Sequence, residues 1–208
     1  MARHSELVKI PRIDRYITKL ALGTAPLGGL FTSVADSEAE STILAAVDAG
    51  INYFDTAPLY GYGIAEKRLG AALNKSGKPF VLSTKVGRVL EKIDPNKTVI
   101  DDSLGSFADI DPSVIPVFDF SRDGILRSIE DSLKRLNVAS FDIAYIHDAD
   151  DRIGEAIEKS YATLDELRSQ GVLKGIGVGM NYCAPSIKAV KEMDLDIILI
   201  AGRFSLLD

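Results

Sequence analysis

Two histidines in 208 residues, one of them His4 near the start, leave too few imidazole donors for an ordinary zinc site. A single cysteine, Cys183, excludes an internal disulfide and fits a reducing compartment. Beside a turn it reads as a small buried filler. Basic residues are dispersed, with no run of five, and the formal net charge is −6. That balance argues against nucleic acid as a partner. No apolar run approaches the roughly 20 residues of a membrane span. The opening Met1-Ala2-Arg3-His4-Ser5-Glu6 carries no apolar signal region, so a cytoplasmic protein without a membrane partner is expected. What remains is ordinary globular material, 46% hydrophobic, expected to form one domain over 1–208.

Strand-like and helix-like segments alternate along the chain. Leu7 to Ile17, turning at Pro11-Arg12-Ile13-Asp14, predicts a β-hairpin ahead of the main fold. Leu20 to Thr24 is the first strand candidate, followed by a Gly/Pro loop, Ala25 to Phe31. Gly28-Gly29 there is either a simple turn or a place where backbone approaches a ligand. Ser37 and Glu40 stand at capping-box spacing before a helix that stops at Gly50. Further strands are expected at 51–55, 80–85, 141–147, 175–179 and 196–201, with helices at 64–73, after Ser121, at 153–167 and around Ile187 and Val190. Between Gly87 and Phe120 the periodicity dissolves, as in a lid over an active face or a solvated excursion. Repeated βα units imply parallel strands and right-handed crossovers. Six strands against the eight of a (β/α)8 barrel predict an α/β TIM barrel of about six units, two short of closure.

Three strands end in titratable residues: Asp55, Lys85 and His147. Tyr60 follows Asp55 by five positions. An apolar strand ending in a carboxylate needs a partner for it, and Lys85 is the obvious one. An ammonium beside a phenol favours the phenolate, so Tyr60 is expected to have a lowered pKa and to exchange a proton with a carbonyl or alcohol oxygen. His147 is placed to orient that oxygen. The set has no good nucleophile and no metal cluster, so a hydride from a nicotinamide, NADP or NAD, completes the chemistry. Each residue also has a plainer reading: Asp55 and Lys85 as a structural ion pair, Tyr60 as loop packing, His147 as a satisfied core histidine.

Asn52-Tyr53-Phe54-Asp55-Thr56-Ala57-Pro58-Leu59-Tyr60-Gly61, followed by Glu66-Lys67-Arg68-Leu69-Gly70, resembles the signature of the aldo-keto reductase superfamily. Ser83-Thr84-Lys85 and Tyr145-Ile146-His147 are similar to its lysine and histidine segments. The opening Leu22 to Gly29 and Ile146-His147-Asp148 look closest to the branch of D-threo-aldose 1-dehydrogenase, L-fucose dehydrogenase and pyridoxal 4-dehydrogenase. The resemblance implies a catalytic tetrad of Asp55, Tyr60, Lys85 and His147, with Tyr60 as general acid/base. It implies cofactor contacts at Gly23, Thr24, Asp55 and Asn181, no metal, and a small carbonyl or sugar substrate. The expected reaction interconverts an aldehyde or aldose lactol with its alcohol or lactone.

Where the family usually has Ser-Asn after the fifth strand, this chain has Met180-Asn181, and Ala201-Gly202-Arg203 stands where many members carry Gln. The family's nicotinamide-stacking and phosphate-binding segment would lie beyond Asp208, so a C-terminally truncated chain is expected. Two other readings stand beside this one. The chain is a non-catalytic fragment or binding subunit, or Lys85 is a Schiff-base lysine of a barrel aldolase.

Overall fold

The computed structural model describes residues 4–94 and 107–203. Six parallel strands curl into an arc of barrel, with an antiparallel hairpin below and helices outside. The hairpin pairs β1 (Leu7–Ile10) with β2 (Arg15–Thr18), as the turn at Pro11 to Asp14 leads one to expect. The arc then runs through β3 (Leu22–Gly23), β4 (Tyr53–Asp55) and β5 (Val81–Val86). After the ribbon strands β6 (Arg88–Lys92) and β7 (Val114–Phe118) it continues with β8 (Ile143–His147), β9 (Gly175–Met180) and β10 (Ile197–Ile200). Spatial order in the arc is β10-β9-β8-β5-β4-β3, each neighbour parallel.

Helices α1 (Asp36–Asp48), α2 (Ile64–Ser76), α3 (Arg122–Leu136), α4 (Ile153–Ser169) and α5 (Cys183–Glu192) cover the convex face. Side-chain alternation along each strand divides the core in two. Outward residues such as Phe54, Leu82, Ile146, Ile176 and Val178 join the helix side chains in one cluster. Inward residues Tyr53, Val81, Ile143 and Tyr145 form a second, closed from below by Ile10 and Ile13 of the hairpin. Room for that interior comes from β9, whose Gly175, Gly177 and Gly179 all face in. A Cβ on them would lie 3.1 Å from Ile13, 2.8 Å from Tyr145 and 3.6 Å from Lys85 respectively.

Four local expectations need correction. The first barrel strand is only Leu22–Gly23, because Thr24 already turns to bond Asp55 through both its amide and its hydroxyl. The capping box does not form. The first helix starts at Asp36 with Ala35 as N-cap, Asp36 bonds Arg68, and Glu40 is drawn to Lys75 of α2. The stretch from Gly87 to Phe120 is not structureless, since its two ends form the β6–β7 ribbon, with Arg127 of α3 holding Glu91 of β6. Its middle, 95–106, lies outside the described residues. Cys183 is exposed at the first turn of α5 and is no buried filler. Ser121 does cap α3, accepting from the Gly124 amide at 3.1 Å.

Gly70 fixes the approach of α2 to α3, since an added Cβ would lie 2.0 Å from the Leu136 carbonyl oxygen. Gly70→Ala is therefore expected to lower unfolding free energy by about 1–3 kcal/mol, read by urea denaturation. The two edge strands carry exposed hydrophobics beside them, Leu20 before β3 and Ile198 in β10. An open apolar strand edge invites pairing with another chain. A polypeptide of these 208 residues is expected to self-associate in sedimentation velocity; a monodisperse monomer would contradict that expectation.

Candidate active site

Along the inner face of the arc, polarity rises toward the carboxyl ends of the strands. β5 runs inward through Val81, Ser83 and Lys85, β8 through Ile143, Tyr145 and His147, and β4 through Tyr53 and Asp55. The parallel register thus delivers Asp55, Lys85 and His147 to one rim. All three are almost completely buried. Lys85 Nζ donates to Asp55 Oδ2 at 2.5 Å and to the Thr56 carbonyl at 2.9 Å. Ser83 Oγ donates to the other Asp55 oxygen at 2.6 Å.

Tyr60 is brought over this pair by the turn between β4 and α2. Its ring centre lies 4.8 Å from Lys85 Nζ and 5.7 Å from the His147 ring, which it meets nearly at right angles. The position is set by a crossing of two loops at glycine. Gly61, at φ +60, lies against Gly28, and a Cβ on Gly28 would come within 2.7 Å of the Tyr60 carbonyl carbon. The close approach left open for Gly28 is thus to the protein's own backbone. Gly29 likewise faces Ala108. Arg68 secures the crossing from α2, donating to the Leu27 and Val34 carbonyls at 2.6 and 2.7 Å. Glu66, fully buried, accepts from Thr84 at 2.8 Å and from Arg135 at 2.5 Å. The signature residues Glu66, Arg68 and Gly70 are accordingly scaffold.

The electrostatics correct one expectation. Burial opposes charge on Lys85, but attraction to Asp55 and Tyr60 outweighs it, and the ammonium is held more firmly than usual. For Tyr60 burial is the larger effect, and the phenol pKa is raised although Lys85 pulls it down. The ammonium acts with the expected sign without prevailing, so Tyr60 rests as the neutral phenol. Burial, with Lys85 and Arg88 adding to it, pushes His147 well below its usual range. Its Nδ1 is buried with no hydrogen-bond partner among the described residues, while Nε2 lies 3.4 Å from Asp148.

The anticipated cofactor contacts fall in different settings. Gly23 is exposed at the rim with nothing within 4 Å of an added Cβ, whereas Thr24 is buried with its hydroxyl engaged by the Asp55 carbonyl. Asn181 follows β9, and its side-chain NH2 donates to Asp148 and Asp150 at 3.0 and 3.2 Å. Two neighbours were given no role in the sequence reading. Arg88, buried at the start of β6, stacks 4.0 Å from the Phe118 ring centre and lies 3.6 Å from Asp148. Asp148 itself holds a left-handed φ of +45 next to His147. Arg88 has no periodicity signal, because the ribbon that carries it was not recognisable as strand.

The model of the Aldo/keto reductase family matches residues 19–208. The chain belongs to the aldo/keto reductase family. Among characterised relatives it is 38% identical to pyridoxal 4-dehydrogenase of Microbacterium luteolum, a match covering 98% of this chain and 64% of that one. It is 40% identical to D-threo-aldose 1-dehydrogenase of a Pseudomonas species, over 92% of this chain and 59% of the relative. The chain thus spans about three fifths of the length of these family members. A glycerol dehydrogenase from Gluconobacter oxydans superposes with a TM-score of 0.69 at 30% identity, over 94% of this chain and 55% of the other. No helix among the described residues is long and apolar enough to cross a membrane. No group of three or more metal-ligating side chains occurs among them either.

A folded imidazole kept neutral has a consequence for stability. Below about pH 6.5 the unfolded chain takes up a proton that His147 in the folded chain refuses. Stability is therefore expected to fall as pH drops from 6.5 to 5, by up to about 1.4 kcal/mol per pH unit from this residue. Urea unfolding of His147→Gln across that range should show a flatter slope than the parent chain. Equal slopes would mean that the imidazole titrates normally.

Proposed function

We propose that this chain carries the proton-transfer site of an NAD(P)-dependent oxidoreductase that interconverts an aldehyde, or the lactol of an aldose, with its alcohol or lactone. The observation that supports it most is the convergence of Tyr60, Lys85, Asp55 and His147 on one rim, with Tyr60 neutral and Lys85 charged. Aldose and pyridoxal dehydrogenases among the relatives favour a small hydroxylated or aldehyde-bearing substrate.

The residues present suit a nicotinamide. Gly23 leaves open surface beside Asp55, and Asn181, whose NH2 is held by two carboxylates, keeps its carbonyl oxygen for an amide N–H. A bound nicotinamide supplies or accepts the hydride. In reduction the Tyr60 phenol gives its proton to the substrate oxygen as the carbonyl carbon gains the hydride, and the phenolate left behind rests against the Lys85 ammonium. Asp55 keeps that ammonium charged and in place. His147, neutral and facing the Tyr60 ring, helps to orient the same oxygen. In oxidation the proton moves the other way, from the substrate hydroxyl to the Tyr60 phenolate. Because burial raises the Tyr60 pKa, the oxidation rate should still be climbing at pH 10.

An aldolase using Lys85 as a Schiff base is disfavoured, since that chemistry needs a neutral amine and Asp55 holds this one charged.

Tyr60→Phe is expected to lower kcat for carbonyl reduction by roughly 10² to 10⁴, with nicotinamide affinity, followed by fluorescence quenching, unchanged. Retention of more than about a tenth of kcat would remove Tyr60 from the acid/base role. Failure of nicotinamide to bind at all would favour the non-catalytic reading. Lys85→Met should move the ionisation in the oxidation pH profile upward, because it removes the one group that lowers the phenol pKa most; an unshifted profile would make Lys85 purely structural.

A further inference from the structure

The inner face of the arc holds three buried hydroxyls below the rim, and one of them bonds Asp55. Tyr145 and Tyr53 join through their phenol oxygens at 2.9 Å, both buried. Ser83 Oγ lies 2.6 Å from Asp55 Oδ1. These three come from β4, β5 and β8, one inward position below Asp55, Lys85 and His147.

An ionised carboxylate only accepts, which fixes the direction of the bond to Asp55. Ser83 has one proton, and the Asp55 oxygen at 2.6 Å takes it in preference to the Phe54 carbonyl at 3.5 Å. Burial raises the pKa of both phenols, so neither gives up its proton near neutrality.

We propose that Ser83 is a positioning residue: it fixes Asp55 Oδ1 so that Oδ2, with the Thr56 carbonyl, holds the Lys85 ammonium against Tyr60. Lys85 has three N–H bonds. Two are directed at Asp55 and Thr56, so the rotation of the ammonium, and the aim of its third proton, depends on Asp55 staying where Ser83 holds it. Without the serine hydroxyl, Asp55 Oδ1 is a buried anionic oxygen with its described donor removed. The carboxylate can then turn both oxygens toward Lys85, and the ammonium loses its fixed orientation. The consequence for catalysis rests on the role proposed for Tyr60; the consequence for Lys85 does not.

The charged and titratable groups facing this set are Lys85 and Asp55 themselves, Tyr60 above them, and His147, Asp148 and Arg88 at the rim. None of them replaces the Ser83 hydroxyl as a donor to Oδ1 in the bonds described.

The test reads the ammonium directly. Proton exchange of the Lys85 NH3+ group is followed by 15N NMR at neutral pH in the 208-residue chain, with its signal assigned through Lys85→Met. Ser83→Ala is expected to speed that exchange at least tenfold, and Ser83→Thr, which keeps the hydroxyl, to restore it. An unchanged rate in folded Ser83→Ala would overturn the proposal. Should that variant fail to fold, Ser83→Cys puts a weaker donor of similar size at the same place. A threefold or greater acceleration there supports the proposal, and an unchanged rate overturns it. In an active holoenzyme, Ser83→Ala should lower kcat at least tenfold with KM altered less than twofold. Activity surviving Tyr60→Phe would remove the acid/base reading and leave the exchange experiment intact.

Discussion

The ion pair of Lys85 and Asp55 is the constraint on which the rest of the site depends. Each charge alone would be untenable at its depth; burying either without the other costs several kcal/mol. Together, with Ser83 and the Thr56 carbonyl completing their hydrogen bonds, they put a fixed positive charge beneath the Tyr60 ring. Parallel pairing of β4 with β5 makes the geometry reproducible, because register alone decides which residues reach the rim. Tyr60 is held by a different device, a glycine-on-glycine crossing of loops, tied down by Arg68. The site therefore combines a charge locked by strands with a phenol locked by a turn.

Competition between burial and charge decides the protonation states. At Tyr60 and His147 the loss of solvent is the stronger influence, and both stay neutral. At Lys85 the neighbouring anion is stronger, and the charge stays. One enclosed rim thus holds a neutral phenol, a neutral imidazole and a cation within a few ångströms of one another.

Much of this was readable in the sequence, for physical reasons that differ by element. Strand ends in titratable residues stood out because a charge closing an apolar run is costly unless paired, and the pairing of Asp55 with Lys85 follows from it. The hairpin and the βα alternation were legible through period and turn chemistry, as at Pro11 to Asp14. The β6–β7 ribbon was not, because its strands are short, carry charges at Arg88, Glu91 and Lys92, and are separated by a long insertion. Ser37 misled, since a capping pattern records local preference while Glu40 and Asp36 had partners on α2. The sign of the Tyr60 shift was hidden for another reason: spacing shows that a cation is near, and only the fold shows how much solvent is lost. Ser83 was visible all along as the inward residue two before Lys85, but its partner lies on another strand.

The hairpin that floors the arc has a consequence for the order of assembly. It precedes the strands of the arc in the chain, yet its contacts lie far downstream: Arg12 with Asp194, 182 residues away, Arg15 with Asp142, 127 away, and Ile13 against Gly175. Contacts at such separation carry a heavy loop-closure penalty and form late. The hairpin must therefore wait, with Ile10 and Ile13 uncovered, until β8 and β9 exist to receive it. Its docking is thus a late step in the assembly of the arc, set by the synthesis of β8 and β9.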